Sequence, residues 1–164
     1  MTKRLVVLVV LAIVAAAAAP APASADGNKL SIGYAYLKGL EDEGRTIPLG
    51  GFVSFAPGDD SGFELDLGFH RDDDIDTNIF TAALGPRFAL GSGESVQPFA
   101  HVMGAVNHLR FPGESETDFG GMAGVGLDLG MGGSMMIRLG ADFQMFFGDG
   151  TNYKQLRLGV GLTF

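Results

Sequence analysis

The sequence predicts an all-β fold: eight antiparallel strands that meander up and down and close as a transmembrane β-barrel, behind a cleaved signal peptide. Three observations carry that prediction. The chain opens on an apolar leader, everything after the leader alternates with period two, and the two faces of the alternation differ in kind. One face holds large apolar residues, and the other holds Gly, small residues and scattered charges.

The leader begins with Lys3 and Arg4 and continues as an uncharged run from Leu5 to Ala19. Those fifteen residues fall short of the roughly 20 that a helix needs to cross a bilayer. Pro20 and Pro22 break any helix, and Ala23-Ser24-Ala25 has the small-x-small form that a signal peptidase cuts, with Ala23 and Ala25 as the recognised pair. The expected division is therefore a signal peptide over 1–25 and a barrel domain over 26–164. Loss of Lys3 and Arg4 leaves 19 acids against nine bases, so export yields a strongly acidic protein.

No later stretch reaches 18 apolar residues, and Gly interrupts nearly every window of helical spacing, so strands remain. Residues 29–38 set Leu30, Ile32, Tyr34 and Tyr36 against Ser31, Gly33 and Ala35. Residues 46–55 set Leu49, Val53 and Phe55 against Gly50, Phe52 and Ser54. Residues 62–70 set Phe63, Leu65, Leu67 and Phe69 against Glu64, Asp66, Gly68 and His70. Residues 77–90 oppose Phe80, Ala82, Leu84, Phe88 and Leu90 to Thr81, Gly85 and Arg87. Residues 95–110 oppose Val96, Ala100, Val102 and Val106 to Gln97, His101 and Asn107. The sixth strand places Phe119, Ala123, Val125, Leu127 and Leu129 across from Asp118, Gly120, Gly124, Gly126 and Asp128. The seventh places Ile137, Leu139, Ala141, Phe143 and Met145 across from Arg138, Gly140, Asp142 and Gln144. The last, 153–164, alternates Leu156, Leu158, Val160, Leu162 and Phe164 with Gln155, Arg157, Gly159, Gly161 and Thr163.

A soluble barrel with eight strands would point its apolar face inward, but its interior has room only for filling side chains. Small residues with a few paired charges suit that space better than rows of Leu and Phe. The apolar face is therefore expected to meet lipid, and closure removes sheet edges that hydrocarbon would penalise. The connections after strands one, three, five and seven (39–45, 71–76, 111–117 and 148–152) are longer and more charged than those after two, four and six. That predicts outer loops at one end and periplasmic turns with both termini at the other. Tyr34, Tyr36, Phe69, Phe147 and Tyr153 are expected at the outer interface.

Composition excludes several functions. With 46% hydrophobic residues the chain is not disordered, and without Cys it has no disulfides, thiolate zinc site or lipidated N-terminal Cys. Its acidity argues against nucleic acid as a partner.

The C-terminal strand ending in Phe164, with Leu158, Val160 and Leu162 before it, resembles the signal read by the outer-membrane barrel assembly machinery. Gly85-Pro-Arg87, Val96-Gln-Pro-Phe-Ala-His101 and Gly120–Asp128 resemble the outer-membrane β-barrel domain family, porin-like and of the OmpA/OmpX type. The resemblance implies a Gram-negative cell outer membrane location. Its patterns specify fold and place rather than activity, and imply a structural, envelope-stabilising or surface-interaction role with at most a narrow pore. Expected partners are outer-membrane lipids and lipopolysaccharide, with the assembly machinery during biogenesis. A monomer without cofactors is expected.

Candidate site residues are the inward charges. At about 3.3 Å per residue, Glu64, Asp66, Arg87, Asp128 and Arg138 fall toward the periplasmic half, and His101, Asp118, Asp142 and Arg157 toward the outer half. They read as a structural ion-pair network filling the lumen, because buried charge persists only when paired; the competing reading is a polar gate. The acidic loop runs Asp72–Asp74 with Asp76, and Glu41–Glu43, read as solvated charge. Their alternative is weak Ca²⁺ or Mg²⁺ binding or bridging to lipopolysaccharide phosphates, although they lack EF-hand spacing. His101 and His108 lie roughly 23 Å apart along one strand with opposite parity, which excludes a shared metal. A lipid-modifying enzyme needs a Ser next to a His, yet Ser54, Ser95 and Ser134 sit on other strands or turns, and only Asp118, Asp142 and His101 approach a protease-like group. That enzyme, or a soluble periplasmic barrel binding an apolar ligand, is the alternative function.

Overall fold

The computed structural model describes residues 27–164 except 42–44, 59–60, 92, 94, 133 and 149–151. The leader, with Ala23 and Ala25, and the loop acids Asp42 and Glu43 lie outside the described residues. The strands are β1 (Lys29–Gly39), β2 (Thr46–Ile47), β3 (Leu49–Ala56), β4 (Ser61–Asp72), β5 (Thr77–Ala89), β6 (Val96–Phe111), β7 (Glu114–Gly132), β8 (Met135–Phe147) and β9 (Asn152–Thr163). Neighbours pair antiparallel in one sheet, and β1 pairs with β9 to close it. The two termini meet where Leu30 and Phe164 exchange backbone hydrogen bonds of 3.1 and 2.9 Å.

β2 and β3 form one stave, so the barrel has eight. The expectation of one unbroken strand over 46–55 is corrected at Pro48, which has no N–H to give a ladder. Leu37 faces Ile47 while Tyr34 faces Gly51, so Ala35 and Tyr36 are opposed by three residues. This is a β-bulge, the place where a sheet tolerates Pro.

Register gives the barrel its tilt. The pairing runs from Leu30 through Phe55, Leu65, Leu84, Gly104, Gly121 and Met145 to Lys154. Lys154 then accepts a hydrogen bond from Leu40, at the far end of the stave it started from. A closed barrel with that stagger has strands tilted about 35–45° from its axis.

The face assignment holds along every stave. Phe63, Leu84, Val102, Phe119, Val125 and Leu158 are 63, 56, 57, 67, 58 and 44% exposed, while Ser31, Glu64, Asn107, Asp128 and Thr163 are at most 1%. A soluble barrel would reverse these faces. The lumen also holds apolar filler: Ala83, Met103, Ala105, Met122 and Phe146 form one cluster, and Leu37, Ile47 and Ile79 another. Tyr153, expected at the outer interface, instead points into the lumen and packs on Phe146 with ring centroids 5.5 Å apart.

The end away from the termini, the distal end, also departs from expectation. The segment 111–117 is largely strand, because β6 and β7 continue to a turn at Pro112-Gly113, whereas in 71–76 β4 runs only to Asp72 and residues 73–76 form the turn. Pro112 pre-sets its own φ, and Gly113 has φ +89°. Gly113→Ala is expected to cost about 1 kcal/mol, since a Cβ is disfavoured in the left-handed region. A urea midpoint equal to wild type would contradict this.

Candidate functional site

The period-two rule places Glu64 and Asp66 of β4, Arg87 of β5, His101 of β6, Asp128 of β7, Arg138 and Asp142 of β8, and Arg157 of β9 on the inner wall. All are 5% exposed or less. Asp128 faces Arg138, and Asp142 faces Arg157, as cross-strand partners. Arg138 grips Asp128 with Nε at 2.9 Å and Nη2 at 3.1 Å. It also spans the lumen, its Nη1 donating to Glu64 Oε1 at 2.7 Å and to Ser54 Oγ at 2.8 Å. Arg87 Nη2 donates to Asp128 at 2.9 Å. Arg157 repeats the pattern, giving Nε to Asp142 at 2.8 Å and a fork to Asp66 at 2.6 and 3.0 Å. The planar guanidinium suits each of these two-carboxylate bridges.

His101 joins what spacing alone divides into two halves. Its Nδ1 faces Glu64 at 3.4 Å and its Nε2 faces Asp142 at 2.8 Å. Four carboxylates here meet three guanidiniums. An imidazolium, donating from both nitrogens, satisfies both acceptors and makes the cluster neutral.

Aromatics and glycines complete the packing. Arg87 and Arg138 lie over Phe99, 4.3 and 4.7 Å from its centroid, and Arg157 lies 5.7 Å from that of Phe52. A Cβ on Gly126 would strike the Phe99 ring, and one on Gly124 would strike Asp142 and His101. The cavity left between these groups is about 20 Å³, space for one water molecule.

Asp118 is a correction. It is buried, but it accepts from the Tyr153 hydroxyl at 2.9 Å and has no ion-pair partner among the described residues. It belongs to a separate polar layer in which Asn107 donates to Tyr153 at 2.8 Å and Thr81 donates to Asn107 at 3.0 Å. Gln155 donates to Gln144 at 2.7 Å nearby. The protease-like grouping of Asp118, Asp142 and His101 is therefore not assembled. His70 also lies inside, with neither ring nitrogen hydrogen-bonded among the described residues, whereas His108 bonds Thr117 on the outside. No cluster able to hold a metal occurs among the described residues.

Sequence reasoning misses Phe99, Phe52 and Ser54 as parts of the network. Their signal is parity: Phe99 lies between Gln97 and His101 on the inward face, and Phe52 and Ser54 share a face with Gly50. Of the C-terminal signal, Leu158, Val160 and Leu162 face outward, and Phe164 closes on Leu30.

Beyond the last outward apolar row, Arg45 donates through Nη2 to Asp72 at 3.0 Å and also through Nε. That hydrogen bond, against burial, holds the Asp72 carboxyl below the usual carboxylate range. A lowered value means a contribution present above the ordinary carboxylate pKa and lost as pH falls through the folded one. Arg45→Gln is thus expected to speed proteolysis at the β1–β2 connection at neutral pH, with the difference from wild type vanishing once Asp72 is protonated. A difference that persists in acid would contradict it.

The family described as outer membrane protein beta-barrel domain matches residues 6–164. Neisserial surface protein A superposes with a TM-score of 0.72 at 13% identity, over 84% of this chain and 96% of that one. The N-terminal β-barrel domain of Pseudomonas aeruginosa OprF gives 0.58 at 18%, over 84% and 98%. Ail, the attachment invasion locus protein of Yersinia pestis, gives 0.54 at 19%, over 85% and 99%. At such identities the likeness is one of fold. No curated protein matches the chain in sequence. A closed eight-stave barrel, apolar outside and salt-bridged inside, and a family match spanning nearly all of the chain lead to one conclusion: the chain belongs to the outer membrane protein beta-barrel domain family and is a protein of the outer membrane.

Proposed function

We propose that the protein is a non-catalytic, sealed barrel with a structural role, stabilising the envelope and presenting its distal turns at the cell surface. The observation that carries this is the filled lumen. Three arginines and His101 lock four carboxylates around a cavity of about 20 Å³, which blocks solute passage. The same geometry weighs against a lipid-modifying enzyme. Both nitrogens of His101 are turned to carboxylates, so neither is left to accept a proton from a nucleophile, and Ser54 is held by Arg138. In this reading the leader is removed on export, and the termini lie in the periplasm. Leu158, Val160, Leu162 and Phe164 guide the assembly machinery, and the monomer works among outer-membrane lipids and lipopolysaccharide.

Planar-bilayer recording with purified folded protein tests the seal. The expected result is a membrane without steady single-channel steps. Stable openings from the wild type would overturn it.

A further inference from the structure

His70 is a buried titratable group that neither the ion-pair network nor the polar layer uses. It is 1% exposed, and neither of its ring nitrogens has a hydrogen-bond partner among the described residues. A neutral imidazole has one donor and one acceptor to satisfy, and an imidazolium has two donors.

The ring lies against the irregular part of the wall. On β4, His70 faces Gly50 of β3 and Ile79 of β5. A Cβ on Gly50 would strike the His70 ring and would come within 2.8 Å of the Ala35 carbonyl oxygen. Gly50 and Ala35 both belong to the bulge at Pro48, where three residues of the β2–β3 stave oppose two of β1. Pro48 brings no N–H, and a bulge locally disrupts the ladder. From outside, the Tyr34 hydroxyl donates to the Pro48 carbonyl, and that of Tyr36 donates to Thr46 Oγ1 at 3.2 Å. The seam over His70 therefore rests on a disrupted ladder and two exposed phenol bonds.

The charges around the ring are either repulsive or already committed. From β9, Arg157 brings Nη1 within 3.4 Å of where a Gly68 Cβ would stand, and His70 Cε1 lies 3.9 Å from the same point. That guanidinium opposes a second positive charge beside it. On β4 itself, Asp66 is held by Arg157 and Asp72 by Arg45. β1, the β2–β3 stave and β5 present only uncharged inward residues here: Ala35, Leu37, Ile47, Gly50, Ile79 and Thr81. Across the lumen, Asp118 is taken by the Tyr153 hydroxyl. A proton on His70 would thus meet an arginine and no uncommitted carboxylate among the described residues.

We propose that His70 is an acid-sensitive latch: when the bulge at Pro48 opens and admits water, the imidazole takes a proton that the closed wall has no place for, so acid favours an open distal wall. The open form holds one proton more than the closed form. Stability of the closed wall therefore falls as pH drops through the ordinary imidazole range, at about 6.5. Beneath the latch the Arg138 and Arg157 bridges keep their partners, so the wall loosens at its distal end while the lumen stays blocked. This goes beyond the sealed structural role and does not require the distal end to face outward.

Hydrogen–deuterium exchange of the full barrel in nanodiscs, read by mass spectrometry and corrected for the intrinsic pH dependence of exchange, tests the latch. Between about pH 7.5 and about pH 5.5, opening of wild-type peptides over residues 35–37 and 46–51 is expected to rise about tenfold. Peptides over 124–128 and 138–142, in the network, are expected to stay level. His70→Phe and His70→Gln cannot titrate, and both are expected to abolish the rise; heat-modifiable migration verifies that each folds. Asp72→Asn is expected to keep it, which separates the imidazole from the carboxylate that Arg45 holds. A flat wild-type profile would overturn the latch whatever the variants do. So would an equal rise in either folded His70 variant or in the network peptides, or loss of the rise in Asp72→Asn.

Discussion

Arg138→Met is expected to lower the free energy of unfolding by about 3–5 kcal/mol, the usual cost of stranding a buried partner charge. Arg138 is the hub of the lumen: it satisfies Asp128 twice, Glu64 once and Ser54 once. Methionine fills much of the volume but leaves two carboxylates at 2% exposure or less facing each other with one arginine between them. Urea-induced unfolding in lipid vesicles, followed by heat-modifiable gel migration, measures the loss. A control separates charge from packing. Adding Glu64→Gln and Asp128→Asn to the Met variant removes the stranded charges, and is expected to restore a large part of the stability. A single variant as resistant to urea as wild type would show that the network does not hold the barrel.

Gly124→Val is expected to be the next most damaging change, at about 1–3 kcal/mol by the ordinary cost of overpacking. Gly124 lies across from Asp142 on β8 and His101 on β6, and a Cβ there would overlap the very atoms that pair, Asp142 Oδ1 and His101 Nε2. Its nearest backbone atom, the Ala141 carbonyl at 3.0 Å, cannot rotate away. The side chains must separate or the staves must spread, and either breaks the bridge that links the Glu64 group to the Arg157 group. The readout that distinguishes this from a general loss of packing is the nitrogen NMR signature of His101. In wild type at neutral pH, both ring nitrogens are expected to carry protons; in the variant one is expected to lose its proton. Gly140, whose added Cβ meets no atom within 4 Å, supplies the control, and Gly140→Ala is expected to leave stability nearly unchanged. Equal losses at the two positions would contradict the role given to Gly124.

Much of the barrel and its lumen is legible in the sequence, for a specific reason. Each stave alternates with period two, and the burial of a side chain in a closed barrel depends on parity alone. Glu64, Arg87, Asp128, Arg138 and Arg157 are therefore inward by position along their strands. What parity does not encode is height and angle around the barrel. Counting residues puts His101 and Asp142 in a different half from Glu64, although the stagger brings all three together. For the same reason it groups Asp118 with arginines that Asp118 never meets. Tyr153 shows the opposite failure, since its aromatic character suggests the interface while its own parity points inward. Asp, Glu and Pro content makes the distal turns look like loops, yet the ladder continues through Asp72 and from Glu114, because exposed strand ends beyond the bilayer carry charge without cost. The bulge at Pro48 has a local signal in the Pro itself.

The most direct measurement of the central claim, that bulky apolar residues face lipid while charge fills the middle, is spin-label accessibility in the reconstituted barrel. Nitroxides at Leu158 and Val160, which are 44 and 47% exposed on the outer wall, are expected to collide with oxygen dissolved in lipid and to be shielded from a water-soluble nickel relaxant. A label at Arg157 is expected to be shielded from both. Strong nickel relaxation at Leu158 and Val160, together with strong oxygen relaxation at Arg157, would contradict the account.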